Sequence, residues 1–147
     1  MARFCARAFD LPIVITRLNT VMGVSGSFPA LHIKAVQEDQ TMVAPCDPNP
    51  HSPIHVLDMR DQVEALLDAA SVTALITNWC GDEVVTAQEW TQRASERSGK
   101  AGRIDVKPAP GSPAGTRADP ARRMSITGAC TTSFLALVRR VMRHDRS

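Results

Sequence analysis

Along the chain, apolar residues switch between helical spacing and short continuous runs, a pattern that predicts an α/β protein. Phe4 and Cys5, then Ala8 and Phe9, fall on one helical face. Pro12 ends that helix, because proline disfavours helical geometry in the residue before it. The helix has no capping residue and fewer than three turns, so it reads as the continuation of something longer. Pro12-Ile13-Val14-Ile15-Thr16 is apolar and β-branched, as a strand covered on both faces of a parallel sheet is. After the loop Gly23-Val24-Ser25-Gly26, Ser27 can cap a helix with Phe28, Leu31 and Ala35 on its apolar face. Thr41-Met42-Val43-Ala44 reads as a short strand, followed by a proline-rich loop from Pro45 to Pro53.

The clearest helix runs from about Asp58 to Ala70, with Met59, Val63, Leu66, Leu67 and Ala70 in one stripe. Asp58 stands at its start, where a carboxylate suits unpaired backbone N–H groups and the helix dipole. Val72-Thr73-Ala74-Leu75-Ile76-Thr77 is a second buried-looking strand, expected to lie parallel beside the first. Thr86-Ala87-Gln88-Glu89 is a capping box, and Val85 and Trp90 are spaced as a hydrophobic staple. Gly99 stops the helix that follows. Arg103-Ile104-Asp105-Val106-Lys107 alternates like an edge strand, and Pro108 to Ala118 is a loop. Asp119-Pro120 opens a short helix ending near Gly128. A last helix from about Ser133 buries Phe134, Leu137, Val138 and Val141.

Composition narrows the classes. The 147 residues are 44% hydrophobic, enough for one globular domain, and a net charge of +2 argues against a nucleic-acid partner. Arginine exceeds lysine, which suits phosphate recognition and equally follows from codon bias. Cys5, Cys46, Cys80 and Cys130 are too widely spaced for a zinc or disulfide framework and read as reduced thiols of a cytoplasmic protein. No apolar stretch reaches the ~20 residues that span a bilayer, so no membrane partner is expected. The first residues lack the pattern of a secretory signal.

Several short segments, taken in order, resemble the C-terminal half of the NAD-dependent epimerase/dehydratase family, the extended short-chain dehydrogenase/reductases. Arg17, Val21 and Gly23 follow a strand as in that family's R-x-x-N-x-Y-G-P, and Ile54-His55-Val56-Leu57-Asp58 matches its I-H-V-x-D element. Ile76-Thr77-Asn78-Trp79-Cys80-Gly81 is similar to its later strand running into asparagine and glycine. Asp119, Ala121, Gly128 and Phe134 to Val141 resemble its tail. There are departures. Met22 stands at the motif tyrosine, Val24 at its proline and Thr20 at its asparagine, with Asn19 one residue early. The chain has no tyrosine and no G-x-G-x-x-G. It therefore supplies neither the phenol that moves a proton during hydride transfer nor the pyrophosphate cradle.

The resemblance implies a partial Rossmann-like parallel sheet with a small α/β substrate-binding part, the N-terminal dinucleotide-binding half being absent from the chain. Residues 1–27 and 54–80 would be Rossmann-side elements, and 28–53 and 81–147 substrate-side elements. It implies NAD or NADP as the cofactor of the full-length family, near Leu18 and Asn19, and a nucleotide-sugar or similar hydroxy/keto substrate near Arg17, Thr20 and His55. For Asn19 and Thr20 the competing reading is ordinary turn hydrogen bonding. His51, His55 and Asp58 read as a structural histidine and a helix cap rather than metal ligands. Ser25 lies outside any nucleophile elbow, Asp82 and Glu83 serve a helix end, and Cys80 reads as a buried thiol without an activating cation. The expected role is the substrate-binding portion of such an enzyme, inactive alone and binding no dinucleotide tightly. The alternatives are a non-enzymatic binding module, one half of a split protein completed by a dinucleotide-binding chain, a homo-oligomer, or a reading frame whose start is misassigned.

Overall fold

A computed structural model describes residues 1–23, 26–111 and 114–134, with positions 136, 138 and 139. Ser25 and Val24, like Leu137 and Val141, lie outside the described residues. Five helices and eight short strands follow one another among them: α1 (Ala2–Ala8), β1 (Val14–Leu18), β2 (Val21–Met22), α2 (Phe28–Gln37), β3 (Thr41–Ala44), β4 (Pro50–His51), β5 (Ile54–His55), α3 (Val56–Asp68), β6 (Leu75–Trp79), β7 (Val85–Thr86), α4 (Ala87–Ser98), β8 (Arg103–Val106) and α5 (Ala121–Thr127).

The two apolar runs do pair in parallel. Val14 faces Leu75, Ile15 faces Ile76, and the register continues to Leu18 and Trp79. Both strands start two or three residues later than the composition predicts. Pro12 has no N–H for a ladder, Ser71 bridges Ile13, and Ala74 sits at φ 62°, so regular pairing begins only beyond them. Three further two-stranded ladders, β2–β5, β3–β8 and the antiparallel β4–β7, stitch the rest. The edge strand 103–107 thus pairs with β3 rather than with β1 or β6.

The core forms on α2 and α4. Met22, Ala30, Ile33, Val36, Val85, Ala87, Trp90, Ala94, Phe134 and Val138 make one buried cluster, with Ile104 against it. The capping box is present in both halves: Thr86 Oγ1 accepts from Glu89 N at 3.1 Å, and Glu89 Oε2 accepts from Thr86 N at 2.7 Å. Gly99 closes α4 in the left-handed conformation at φ 71°. The staple residues Val85 and Trp90 belong to the same core.

Two helices bury only part of the apolar stripe their patterns predict, Ala35 on α2 and Leu66 on α3 being buried as expected. On α2, Phe28 and Leu31 are 40% and 52% exposed, while His32, Ile33 and Val36 are fully buried. The Ala30–Ile33–Val36 side packs with Trp90 and Ala94 of α4 in the buried cluster. On α3, Val63 and Leu67 are 42% and 61% exposed, whereas Asp58, Gln62 and Leu66 are buried. α3 also starts two residues early, because His55 rather than Asp58 is its N-cap, its Nδ1 accepting from Leu57 N at 3.1 Å. Asp58 reaches across the chain instead, accepting from Thr131 N at 2.7 Å, Thr131 Oγ1 at 2.8 Å and Thr132 N at 3.3 Å. On α1 only Ala6 is buried, and Phe4 is 72% exposed.

Candidate functional site

In open α/β sheets, ligands meet the carboxyl ends of parallel strands. Here that end is built from Asn19 and Thr20, which leave β1 with the ladder continued by Asn19 N→Trp79 O at 3.0 Å. Ile54 N→Thr20 O, 2.9 Å, then passes the chain to β5. Gly81, just past β6, allows the same close approach: a Cβ there would lie 2.0 Å from Pro53 O.

A polar network fills the space above this end. Asn19 Oδ1 accepts from Thr20 N at 2.8 Å and Ser52 N at 3.2 Å and lies 3.2 Å from Thr116 Oγ1, while its Nδ2 donates to Thr116 O. Thr20 Oγ1 lies 3.0 Å from His51 Nδ1 and 2.9 Å from Thr116 Oγ1. Ser52 Oγ accepts from Ala118 N at 3.1 Å, and Asn78 Nδ2 donates to Asp119 O at 2.9 Å. Three segments distant in sequence, 19–20, 49–52 and 114–119, therefore meet at one place.

Arg17 and Leu18 are exposed on the last residues of β1, next to Asn19 and Thr20. Those four expected residues are brought together. His55 is not among them: it is buried, pairs with Met22 across β2–β5, and lines a separate cavity of about 120 Å³ with Asp58, Asp82, Glu83 and Phe134. The carboxylates of that cavity hold the 130–134 segment. Asp82 ion-pairs with Arg123 and accepts from Cys130 N at 2.7 Å; Glu83 accepts from Phe134 N at 3.4 Å. The expectation that Asp82 and Glu83 serve the end of the helix that follows them is not met: Thr86 and Glu89 cap α4, while Asp82 serves a buried guanidinium and Glu83 the Phe134 N–H. Cys80 does have a nearby cation, Arg123, but burial outweighs it and pushes the thiol up; Cys130 is raised to about 11 for the same reason.

Several residues of this region escape a reading of the sequence. Asn49 and Thr116 join His51, expected as a structural histidine, in the network, and Arg117, next in the chain, is exposed without an ion pair among the described residues. Arg123 is fully buried. His32 is buried with no hydrogen-bond partner for either ring nitrogen among the described residues. Burial, then the neighbouring His51, lowers His32 to about 4; burial also lowers His51. No local pattern marks them, because each depends on a partner far along the chain.

The sequence supplies no glycine-rich turn of the kind that holds a dinucleotide. The dinucleotide's pyrophosphate needs such a turn leading to an open helix N-terminus. The N-termini of α2, α3, α4 and α5 are taken by Ser27, His55, Thr86 and Asp119, which accept from Ala30 N, Leu57 N, Glu89 N and Ala121 N.

The fold is shared with UDP-sugar 4-epimerases. The UDP-glucose 4-epimerase of Thermus thermophilus, in complex with NAD, matches with a TM-score of 0.81 at 19% identity, over 99% of this chain and 50% of that one. A UDP-glucuronic acid 4-epimerase mutant from Bacillus cereus, in complex with UDP-4-deoxy-4-fluoro-glucuronic acid and NAD, gives 0.83 at 21% identity over 99% and 48%. The Thermotoga maritima UDP-glucose 4-epimerase with UDP-glucose gives 0.75 at 16% identity over 99% and 49%. The chain spans about half the length of the structures it matches. No protein-family model matches the sequence, and no curated protein matches it. At these identities the likeness concerns fold: the chain has the α/β fold of about half of a Rossmann-type UDP-sugar epimerase, as the motif resemblance implies. Among the described residues no helix is long and apolar enough to cross a membrane.

Proposed function

We propose that this chain is the substrate-side portion of an NAD(P)-dependent epimerase or dehydratase acting on nucleotide sugars. Residues 1–27 and 54–80 form its dinucleotide-facing elements, and 28–53 and 81–147 its substrate-facing ones. The observation that carries this reading is the parallel β1–β6 ladder ending in Asn19 and Thr20, on a fold whose neighbours were solved with UDP-glucose or a UDP-glucuronic acid analogue. Arg17 and Thr20 are the proposed substrate contacts, Leu18 and Asn19 border the nicotinamide, and His55, buried beside Asp58, is left out of the proposed contacts. Arg117 adds an exposed guanidinium suited to a diphosphate. Without tyrosine or a glycine-rich cradle, the chain binds the sugar nucleotide but does not turn it over.

Titration of the purified chain with UDP-glucose and with NAD, followed by NMR, tests this. We expect UDP-glucose to shift the amides of residues 17–20 and 114–119, and NAD at the same concentration to leave them in place. Arg117→Ala weakens UDP-glucose about tenfold, about 1.4 kcal/mol. Failure of UDP-glucose to bind, or NAD-dependent turnover by the chain alone, refutes the reading.

A second reading rests on the exposed apolar faces of α1 and α3: the chain pairs with a separate dinucleotide-binding chain, or with itself. Gel filtration of the chain, alone and mixed with such a partner, separates the two. A monodisperse monomer that unfolds cooperatively and ignores the partner counts against it.

A further inference from the structure

His51, on β4, is anchored by more than its strand pairing with Val85. It is buried, and both ring nitrogens are engaged by side chains from different segments. The orientation of the ring's protons follows from Asn49. The Asn49 amide nitrogen donates to Ala114 O at 3.2 Å, so its Oδ1 is the atom 2.9 Å from His51 Nε2, and Nε2 must carry a proton to donate. The neutral ring then leaves Nδ1 as a single acceptor: Thr116 Oγ1 donates to it at 2.7 Å, and Thr20 Oγ1, 3.0 Å from Nδ1, donates to Thr116 Oγ1 at 2.9 Å. Thr20 closes β1, and Thr116 belongs to the loop carrying Arg117.

The backbone makes the same junction. Thr116 forms a parallel bridge with His51, and Thr116 N donates to Pro50 O at 2.8 Å. Gly115 sits at φ 150°, and a Cβ on it would lie 2.3 Å from Pro50 O. The loop is thus pressed against β4 at a position where only glycine fits. Beneath the ring, Phe28 and Trp90 hold His51 at centroid distances of 5.4 and 5.2 Å.

We propose that His51 is the positioning residue of the sugar-nucleotide site: its neutral ring clasps loop 114–118 to the end of β1, and the loop is held in its ligand-binding position only while that clasp is made. This rests on the functional reading above. His51 touches no substrate in this scheme and acts through Thr20 and Thr116. The groups facing it are Thr20 from the end of β1, Thr116 from the loop, Asn49 from its own segment, Phe28 and the titratable His32 from α2, and Trp90 from α4. Burial favours the neutral ring, so the clasp persists below the ordinary histidine range and loosens as protons are taken up at lower pH.

The test uses the whole chain and two readouts, amide hydrogen exchange and UDP-glucose titration by NMR. Thr116→Val keeps the side-chain shape and removes only the hydroxyl. It should speed exchange at Thr116 N and Ala118 N about tenfold, leave the α4 amides unchanged, and weaken UDP-glucose at least fivefold. His51→Asn, whose amide oxygen can occupy the place of Nδ1, should retain most of the affinity while losing the fall in affinity that the wild type is expected to show below the ordinary histidine range. Unchanged exchange in Thr116→Val overturns the clasp. Faster exchange with unchanged UDP-glucose affinity overturns the positioning role but spares the functional reading. If the wild type binds no UDP-glucose, the functional reading falls and the positioning role with it, while the exchange data still decide whether the clasp exists.

Discussion

The α2–α4 lobe and the β1–β6 ladder are built from similarly apolar segments but bury them unequally. Around Trp90, helices, short strands and Phe134 close on every side, and the buried cluster is continuous. Along β1 and β6, Thr77 is the one buried residue, and β1 has none. The neighbouring helices present Phe4, Val63 and Leu67 to solvent. The same periodic signal therefore marks a core in one region and an uncovered face in the other. Amphipathic spacing says that a face prefers cover; it does not say that this chain supplies the cover.

Substitutions should separate the two regions, and the largest effect belongs to the closed one. Trp90→Ala empties the middle of the cluster and should cost about 3–5 kcal/mol in urea unfolding. A loss under about 1 kcal/mol would mean that the lobe is not the stabilising core.

His32 makes the same lobe sensitive to acid. Burial holds it neutral down to about pH 4, whereas the unfolded chain takes up the proton near 6.5. As pH falls between those values, the unfolded state binds protons that the folded state refuses. Stability is full above 6.5 and declines toward 4, by about 3 kcal/mol for this residue. His32→Phe keeps the ring between Phe28 and Trp90 and should flatten that slope, read from urea titrations at a series of pH values.

Adjacent leucines on α3 sharpen the contrast within a single helix. Leu66→Ala, at a buried position, should cost about 2 kcal/mol or more, and Leu67→Ala on the exposed face less than about 0.5 kcal/mol. Equal costs would show that the face carrying Val63 and Leu67 is covered in solution. The smallest effect is local: Thr86→Ala removes one half of the capping box and should cost about 1 kcal/mol, with loss of helicity confined to the first turn of α4.

How far the molecule is legible in advance depends on the range of the interaction. The capping box at Thr86–Glu89, the stop at Gly99 and the parallel strands around Ile15 and Ile76 follow from neighbouring residues and their spacing. The buried face of α2 does not. Phe28 and Leu31 are partly exposed there while His32 and Ile33 are buried, because the side carrying Ala30, Ile33 and Val36 packs with Trp90 and Ala94 of α4. Asp58 is a helix-start carboxylate by pattern, but its partners are Thr131 and Thr132. At the candidate site, the cluster Arg17, Leu18, Asn19 and Thr20 is visible because the residues are contiguous. His55 is grouped with them by motif and lies instead against the Asp58 cavity.

By itself the sequence determined the elements, most of their caps, the parallel pairing and the absence of a tyrosine and a glycine-rich turn. Those depend on covalent neighbours, strand propensity and composition. Tertiary structure alone decided which faces are buried, why Cys80 stays a thiol beside Arg123, and that His51 joins Thr20 to Thr116. Side chains separated by 31 and 65 residues in sequence meet only after the chain has closed. Burial and desolvation, which set their chemistry, exist only in that closed state.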